Sequence, residues 1–113
     1  MRLSPTLFRI AAVLLALLIT VGSLQPAGGG GSLPHVDKLM HLLAYGGLAG
    51  LAGLGWRDIP LWAVVLLAAL FGIGIEIAQA TLTDGRTASV ADGLANLLGA
   101  LLAALALGRL RPD

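Results

Sequence analysis

The sequence predicts an all-α integral membrane protein, a bundle of four transmembrane helices forming a single domain over residues 1–113. The chain is 58% hydrophobic and only 12% charged, and so few charges cannot cover the surface of a small soluble domain. The apolar residues also fall in runs long enough to cross a bilayer, rich in Leu and Ala and without the period-two alternation of strands. These observations favour membrane-spanning helices over any other class.

Four apolar runs supply the predicted spans, at about residues 8–25, 38–56, 59–80 and 88–109. At about 1.5 Å of rise per residue, the third and fourth runs reach roughly 30 Å, the thickness of the hydrocarbon core. The second run is slightly short, and a further turn at either end would extend it. The first run has a basic start and a small-residue end that also fit a cleaved signal peptide, but we expect an uncleaved helix.

The composition excludes several classes of function. The formal net charge is +1 and no basic stripe is present, so we expect no nucleic-acid partner. The chain has no cysteine, which excludes disulfides, a thiolate nucleophile and a cysteine-bound metal. The four glycines of residues 28–31 indicate a flexible linker, since a phosphate-binding loop would follow a strand and precede Lys-Ser/Thr. We expect no cofactor.

Basic residues indicate the orientation in the membrane, because cytoplasmic loops carry an excess of Lys and Arg. With the N-terminus inside, only Lys38 and Arg86 face outward. Five arginines then face inward, namely Arg2, Arg9, Arg57, Arg109 and Arg111. Both termini are therefore predicted to be cytoplasmic, in the plasma or inner membrane.

This topology brings polar side chains from three helices to the outer leaflet. Lys38, His41 and Tyr45 have the spacing i, i+3, i+7 and so share one face of the second helix. The fourth helix repeats this spacing. Acids inside a span are costly and usually mark a function or an ion pair, for which Lys38 and Arg86 are the available cations. The ten side chains of the predicted site are Asp37, Lys38, His41, Tyr45, Glu76, Gln79, Arg86, Ser89, Asp92 and Asn96.

Some of these residues have simpler structural explanations. Asp37 and Ser89 are suited to capping the starts of their helices, and Asn96 to hydrogen bonding between helices. Glu76 and Asp92 are the hardest to explain in this way. Small residues on the second and fourth helices favour close helix packing, and the glycines concerned are Gly46, Gly50, Gly53, Gly55, Gly93 and Gly99.

Three motifs resemble those of the VanZ-like family of small bacterial membrane proteins. They are DKLMHLLAY, GIEIAQ and GRTASVADGLANLLGA, each at a helix end and in this order, from about Asp37 to Gly99. The resemblance implies a helical membrane protein. Through the founding member it also implies an association with low-level resistance to the glycopeptide teicoplanin, but it implies no established reaction. The family positions carried over are the ten site residues together with Gly85 and Gly99.

The sequence favours two functions. The first is a non-enzymatic membrane protein that binds or modulates a cell-envelope lipid or lipid-linked precursor, with Lys38 and Arg86 holding a phosphate. The second is an intramembrane enzyme acting on such a lipid or glycan, with His41 as acid or base and Glu76 or Asp92 as its partner. The candidate catalytic residues are therefore His41, Glu76 and Asp92.

Further alternatives stay open. The enzyme hypothesis admits a divalent ion bound by Asp37, His41, Glu76 and Asp92, although the leading interpretation includes no metal. An accessory structural subunit would use the polar groups as an ion-pair network, in a homo-oligomer or with another membrane protein. Ion transport is disfavoured, because the polar groups gather at the outer end and form no path to the inner leaflet.

Overall fold

A computed structural model describes residues 3–25, 34–83 and 88–111, which contain four α-helices and no strand. The helices are α1 (Pro5–Ser23), α2 (Pro34–Gly55), α3 (Leu61–Leu82) and α4 (Val90–Leu110). The predicted all-α class is confirmed for these residues, and each predicted span overlaps one helix. Gly85, Arg86 and the glycines of residues 28–31 lie outside the described residues.

Three of the four helices, α1, α3 and α4, are long and apolar enough to cross a membrane. The helix α2 is as long as α3, at 22 residues, but it carries a charged group at Asp37 and another at Lys38. Large apolar side chains face outward around the bundle, including Leu18 at 69% exposure and Leu105 at 71%. A surface of this kind suits contact with lipid and not with water.

The closest helix contact joins α2 to α4. Gly46 of α2 faces Gly99 of α4. A Cβ added to Gly99 would lie 3.0 Å from the Gly46 nitrogen and would collide with the Leu42 carbonyl oxygen. The predicted close packing is therefore confirmed at Gly46 and Gly99. It is wrong at Gly50 and Gly93, where an added Cβ meets none of the described residues within 4 Å.

Small side chains make up the buried core below this contact. The core cluster consists of Ala49, Val64, Ala68 and Ala100, from α2, α3 and α4. In a bilayer, helices associate through close packing and hydrogen bonds, because lipid tails are as apolar as the side chains they would replace. The small residues therefore set how near the three helices approach.

Arginine side chains close the end of the bundle that holds the loop between α2 and α3. Arg9 of α1 donates from Nε to the Gly55 carbonyl oxygen at 2.6 Å, and its guanidinium lies 5.6 Å from the Trp56 ring centroid. Arg111 donates to the Arg57 carbonyl oxygen and, at 2.7 Å, to that of Ile59. The connection between α2 and α3 is thus tied to the start of α1 and the end of α4.

The glycine contact yields a matched pair of substitutions on one helix. We expect Gly99→Ala to destabilise the protein by about 1–3 kcal/mol, because the new methyl group meets backbone atoms that cannot move independently. Gly93→Ala places the same methyl in open space and should stabilise α4 by roughly 0.5–1 kcal/mol. Thermal unfolding in detergent checks both. A Gly99→Ala protein as stable as Gly93→Ala would contradict this helix packing.

Candidate functional site

Charged side chains meet where the N-terminal ends of α2 and α4 come together. The Lys38 ammonium forms an ion pair with the Asp92 carboxylate and lies 3.1 Å from Oδ2 of Asp37. One ammonium is thus shared by two carboxylates. We call Asp37, Lys38, His41, Asp92 and Asn96 the polar cluster.

His41 lies at the centre of the polar cluster. Its Nδ1 is 3.0 Å from Oδ1 of Asn96, so Nδ1 is the protonated nitrogen when this hydrogen bond forms. Its Nε2 faces Oδ1 of Asp37 at 3.7 Å and Oδ2 of Asp92 at 3.5 Å. Both distances exceed those of ordinary hydrogen bonds. With a neutral imidazole, the two carboxylates and one ammonium leave one net negative charge.

The starts of the two helices position the carboxylates. The helix α2 begins at Pro34, so Asp37 lies inside the first turn and does not cap the helix as the structural alternative supposed. Ser89 does cap α4, since its hydroxyl accepts a hydrogen bond from the Asp92 N–H at 3.2 Å. Asp92 also lies in a first turn, and the positive end of a helix dipole stabilises a carboxylate in this position.

Glu76 lies beside the polar cluster and outside it. This residue is 7% exposed, and its Oε2 accepts a hydrogen bond from the Ser89 N–H at 2.8 Å. Its Oε1 has no hydrogen-bond partner in the described part of the chain. Among the described residues, the metal-ligating atoms that lie within 4.8 Å of one another belong to Asp37, His41 and Asp92. Of the four metal ligands considered from the sequence, the structure therefore brings together Asp37, His41 and Asp92, whereas Glu76 does not belong to this group.

Tyr45 is almost wholly buried one helical turn below His41. The residue is 2% exposed, and its hydroxyl has no hydrogen-bond partner within residues 3–25, 34–83 and 88–111. The ring fits against α3 at Gly72, where an added Cβ would lie 3.1 Å from the Tyr45 ring and 3.0 Å from Nδ2 of Asn96. Gly72 was not among the predicted site residues, although a glycine one helical turn before Glu76 could have indicated that another helix packs closely there.

The helix α1 joins the site through backbone contacts that the side-chain pattern did not reveal. Gln79 donates from Nε2 to the Ser23 carbonyl oxygen at 3.0 Å, and Thr83 donates to the Leu24 carbonyl oxygen at 3.2 Å. Gln79 therefore links α3 to α1 and does not bond to the polar cluster. These contacts place the end of α1 at the same end of the bundle as Asp37 and Asp92.

A cavity of about 340 Å³ lies between the end of α1 and the polar cluster. Its polar lining comes from Ser23, Asp37, His41, Tyr45 and Gln79. Its other lining residues are Leu18, Ile19, Gly22, Met40 and Ala44. A separate and largely apolar groove of about 410 Å³ runs between α3 and α4 past Glu76 and Ser89.

The structure thus brings five of the ten predicted side chains into one polar cluster and places four others beside it. The neighbouring four are Tyr45, Glu76, Gln79 and Ser89, and Arg86 lies outside the described residues. Chemically, the polar cluster offers carboxylates that accept hydrogen bonds, an ammonium that donates them, and an imidazole nitrogen suited to proton transfer or metal binding.

A family model described as VanZ/LLP1 matches residues 3–111 of the 113-residue chain. No curated protein and no solved structure matches the chain.

Proposed function

The chain belongs to the VanZ/LLP1 family, and from this premise we propose that it is a multi-pass membrane protein that binds or modulates a cell-envelope lipid or lipid-linked precursor. The observation that carries the proposal is the cavity beside the polar cluster. One part of its lining is polar, with Asp37 and His41, and another is apolar, with Leu18 and Ile19. A lining of this composition is complementary to an amphiphile.

The headgroup would lie against the polar cluster and the acyl or isoprenoid chain against α1. The carboxylates of Asp37 and Asp92 accept hydrogen bonds, which suits sugar or headgroup hydroxyls. A phosphate depends on cations, and the Lys38 ammonium is already shared by two carboxylates. We therefore give hydroxyl groups the leading role in recognition, with a phosphate held by Lys38 and by Arg86, which lies outside the described residues.

In this proposal all four helices span the plasma or inner membrane and both termini are cytoplasmic. The helix α2 becomes the fourth span because its polar face packs against α4, where Lys38 forms an ion pair with Asp92 and His41 contacts Asn96. Arg9, Arg57 and Arg111 lie at the end opposite the polar cluster. The preference of Arg for the cytoplasmic side then puts the polar cluster at the outer leaflet.

An intramembrane enzyme is the second candidate, and one observation favours it. His41 lines the cavity, and Asn96 holds its ring through Nδ1, which leaves Nε2 as the nitrogen for proton transfer by a general base or acid. The same site would then act on the envelope lipid or glycan that it binds. In either case, an effect on susceptibility to teicoplanin would follow from a change in envelope precursors at the outer surface.

The lipid proposal predicts what copurifies with the protein. We expect the wild-type protein to retain one lipid class above its proportion in the bulk membrane. Gly22→Leu should lose this enrichment, because Gly22 lines the cavity from α1 and a Cβ added there meets none of the described residues within 4 Å, so that the new side chain takes up cavity space. Gly74→Leu is the matched control, since the position is exposed and an added Cβ there also meets none of the described residues within 4 Å.

Mass spectrometry of lipids extracted from the three purified proteins makes this comparison. Bulk-membrane lipid proportions in all three would contradict lipid binding and favour the accessory structural role. Enrichment that survives Gly22→Leu would contradict the assignment to this cavity. Accumulation of a modified lipid in cells expressing the wild type, and not His41→Gln, would favour the enzyme.

The proposed topology predicts which loops are accessible from outside. The chain has no cysteine, so Ala88→Cys and Asp58→Cys each introduce a single thiol at an exposed position. In intact cells, we expect an impermeant maleimide to label Ala88→Cys and to spare Asp58→Cys until the membrane is opened. The reverse pattern would place the polar cluster at the cytoplasmic side and exclude an outer-leaflet ligand.

A further inference from the structure

The separations of His41 from Asp37 and from Asp92 are close to those between the ligands of a metal ion, and ligand atoms of all three residues lie within 4.8 Å of one another. For metal–ligand distances of about 2.0–2.2 Å, two ligands of a tetrahedral ion lie roughly 3.3–3.6 Å apart. Nε2 of His41 is 3.5 Å from Oδ2 of Asp92 and 3.7 Å from Oδ1 of Asp37. These separations are long for hydrogen bonds and close to the edges of such a tetrahedron.

The orientation of His41 points to a cation at Nε2. The hydrogen bond from Nδ1 to Oδ1 of Asn96 leaves the lone pair on Nε2 when the ring is neutral. That lone pair faces two carboxylate oxygens, an arrangement that is repulsive unless Nε2 binds a proton or a metal ion. Metal-binding histidines are commonly held in this way by a hydrogen bond at the second ring nitrogen. Asn96 is 2% exposed, so its amide is well fixed for this purpose.

The charges of the polar cluster leave room for a divalent ion. Lys38 contacts Oδ2 of Asp37 and Oδ1 of Asp92, whereas His41 faces the other oxygen of each carboxylate. The ammonium and a metal ion would therefore use different oxygens. Because the ammonium balances only one of the two carboxylates, one negative charge remains to attract a cation when the imidazole of His41 is neutral.

Tyr45 provides an independent indication of a ligand. Its hydroxyl is buried and has no partner among the described residues, although Tyr45 lines the same cavity as Asp37 and His41. Tyr45 follows His41 by one helical turn and shares its face of α2. An oxygen ligand in a fourth coordination position would give this hydroxyl a partner.

We propose that Asp37, His41 and Asp92 bind a divalent transition-metal ion, with Zn²⁺ as the representative, and leave a fourth position open to the cavity. One imidazole nitrogen and two carboxylate oxygens suit an ion of this class. The inference goes beyond the proposed function, because metal binding requires no lipid. An oxygen of a bound headgroup or a water molecule would complete the coordination.

Binding of Zn²⁺ alone tests the proposal. Full-length protein purified in detergent and stripped with EDTA is titrated with Zn²⁺ by calorimetry, with Co²⁺ as a spectroscopic substitute. We expect one ion per chain, and visible Co²⁺ absorption bands of tetrahedral intensity. His41→Gln and Asp92→Asn should each weaken binding by at least about tenfold. Circular dichroism of each variant verifies that the helices are retained.

His35→Gln is the matched control, because His35 is an exposed histidine of the same helix and a surface imidazole can bind Zn²⁺ adventitiously. This variant should bind Zn²⁺ as the wild type does. Failure of the stripped wild-type protein to bind would overturn the proposal. So would binding that persists in folded His41→Gln or Asp92→Asn, or binding that His35→Gln removes. None of these outcomes depends on whether the protein binds a lipid.

Discussion

The close approach of α2 and α4 at Gly46 and Gly99 determines whether the side chains of the polar cluster can reach one another. Side chains at this crossing would separate the helices, since a Cβ at Gly99 already collides with the backbone of α2. The polar cluster lies immediately beyond the crossing and takes its groups from both helices. A wider separation would part Lys38 from Asp92 and His41 from Asn96. The packing of small residues therefore determines whether a site exists.

The electrostatics of the polar cluster follow from its place at the end of an apolar bundle. Charges near the hydrocarbon region are costly unless they are paired and hydrogen-bonded. Lys38 and the two helix N-termini stabilise the carboxylates of Asp37 and Asp92, and with a neutral imidazole at His41 the polar cluster keeps one net negative charge. This excess distinguishes the site from a simple anion-binding pocket. It explains why hydroxyl donors and cations, and not phosphate alone, are the ligands that this geometry favours.

The sequence predicted the helices and the faces that carry polar groups, but not how these faces are rotated against one another. The spacing of Lys38 and His41 placed them on one face, and the structure pairs that face with Asp92 and Asn96 of α4. Spacing within one helix cannot identify a partner on another helix. For this reason the hydrogen bond from Ser89 N–H to Glu76 was not anticipated.

The same limitation applies to the small residues and to α1. Gly46 and Gly50 are equivalent in a small-xxx-small pattern. Of these two, Gly46 lies against Gly99 of α4, whereas a Cβ added to Gly50 meets none of the described residues within 4 Å. Gln79 and Thr83 donate hydrogen bonds to backbone carbonyl groups at the end of α1. Because every residue carries a carbonyl group, the identity of the residues there does not indicate such a contact. Such contacts depend on where a helix ends, which hydropathy specifies only to within a few residues.

The central claim is that one polar cluster is assembled across α2 and α4, and a double-mutant cycle between Lys38 and Asp92 tests it most directly. Lys38→Met, Asp92→Asn and the double variant are compared by their free energies of unfolding in detergent. We expect a coupling energy of about 0.5–3 kcal/mol, as for residues in direct contact. The cycle between Lys38 and Asp58, at opposite ends of the bundle, should be additive. Additive effects for Lys38 and Asp92 as well would show that the two side chains do not interact, and would contradict a polar cluster shared by α2 and α4.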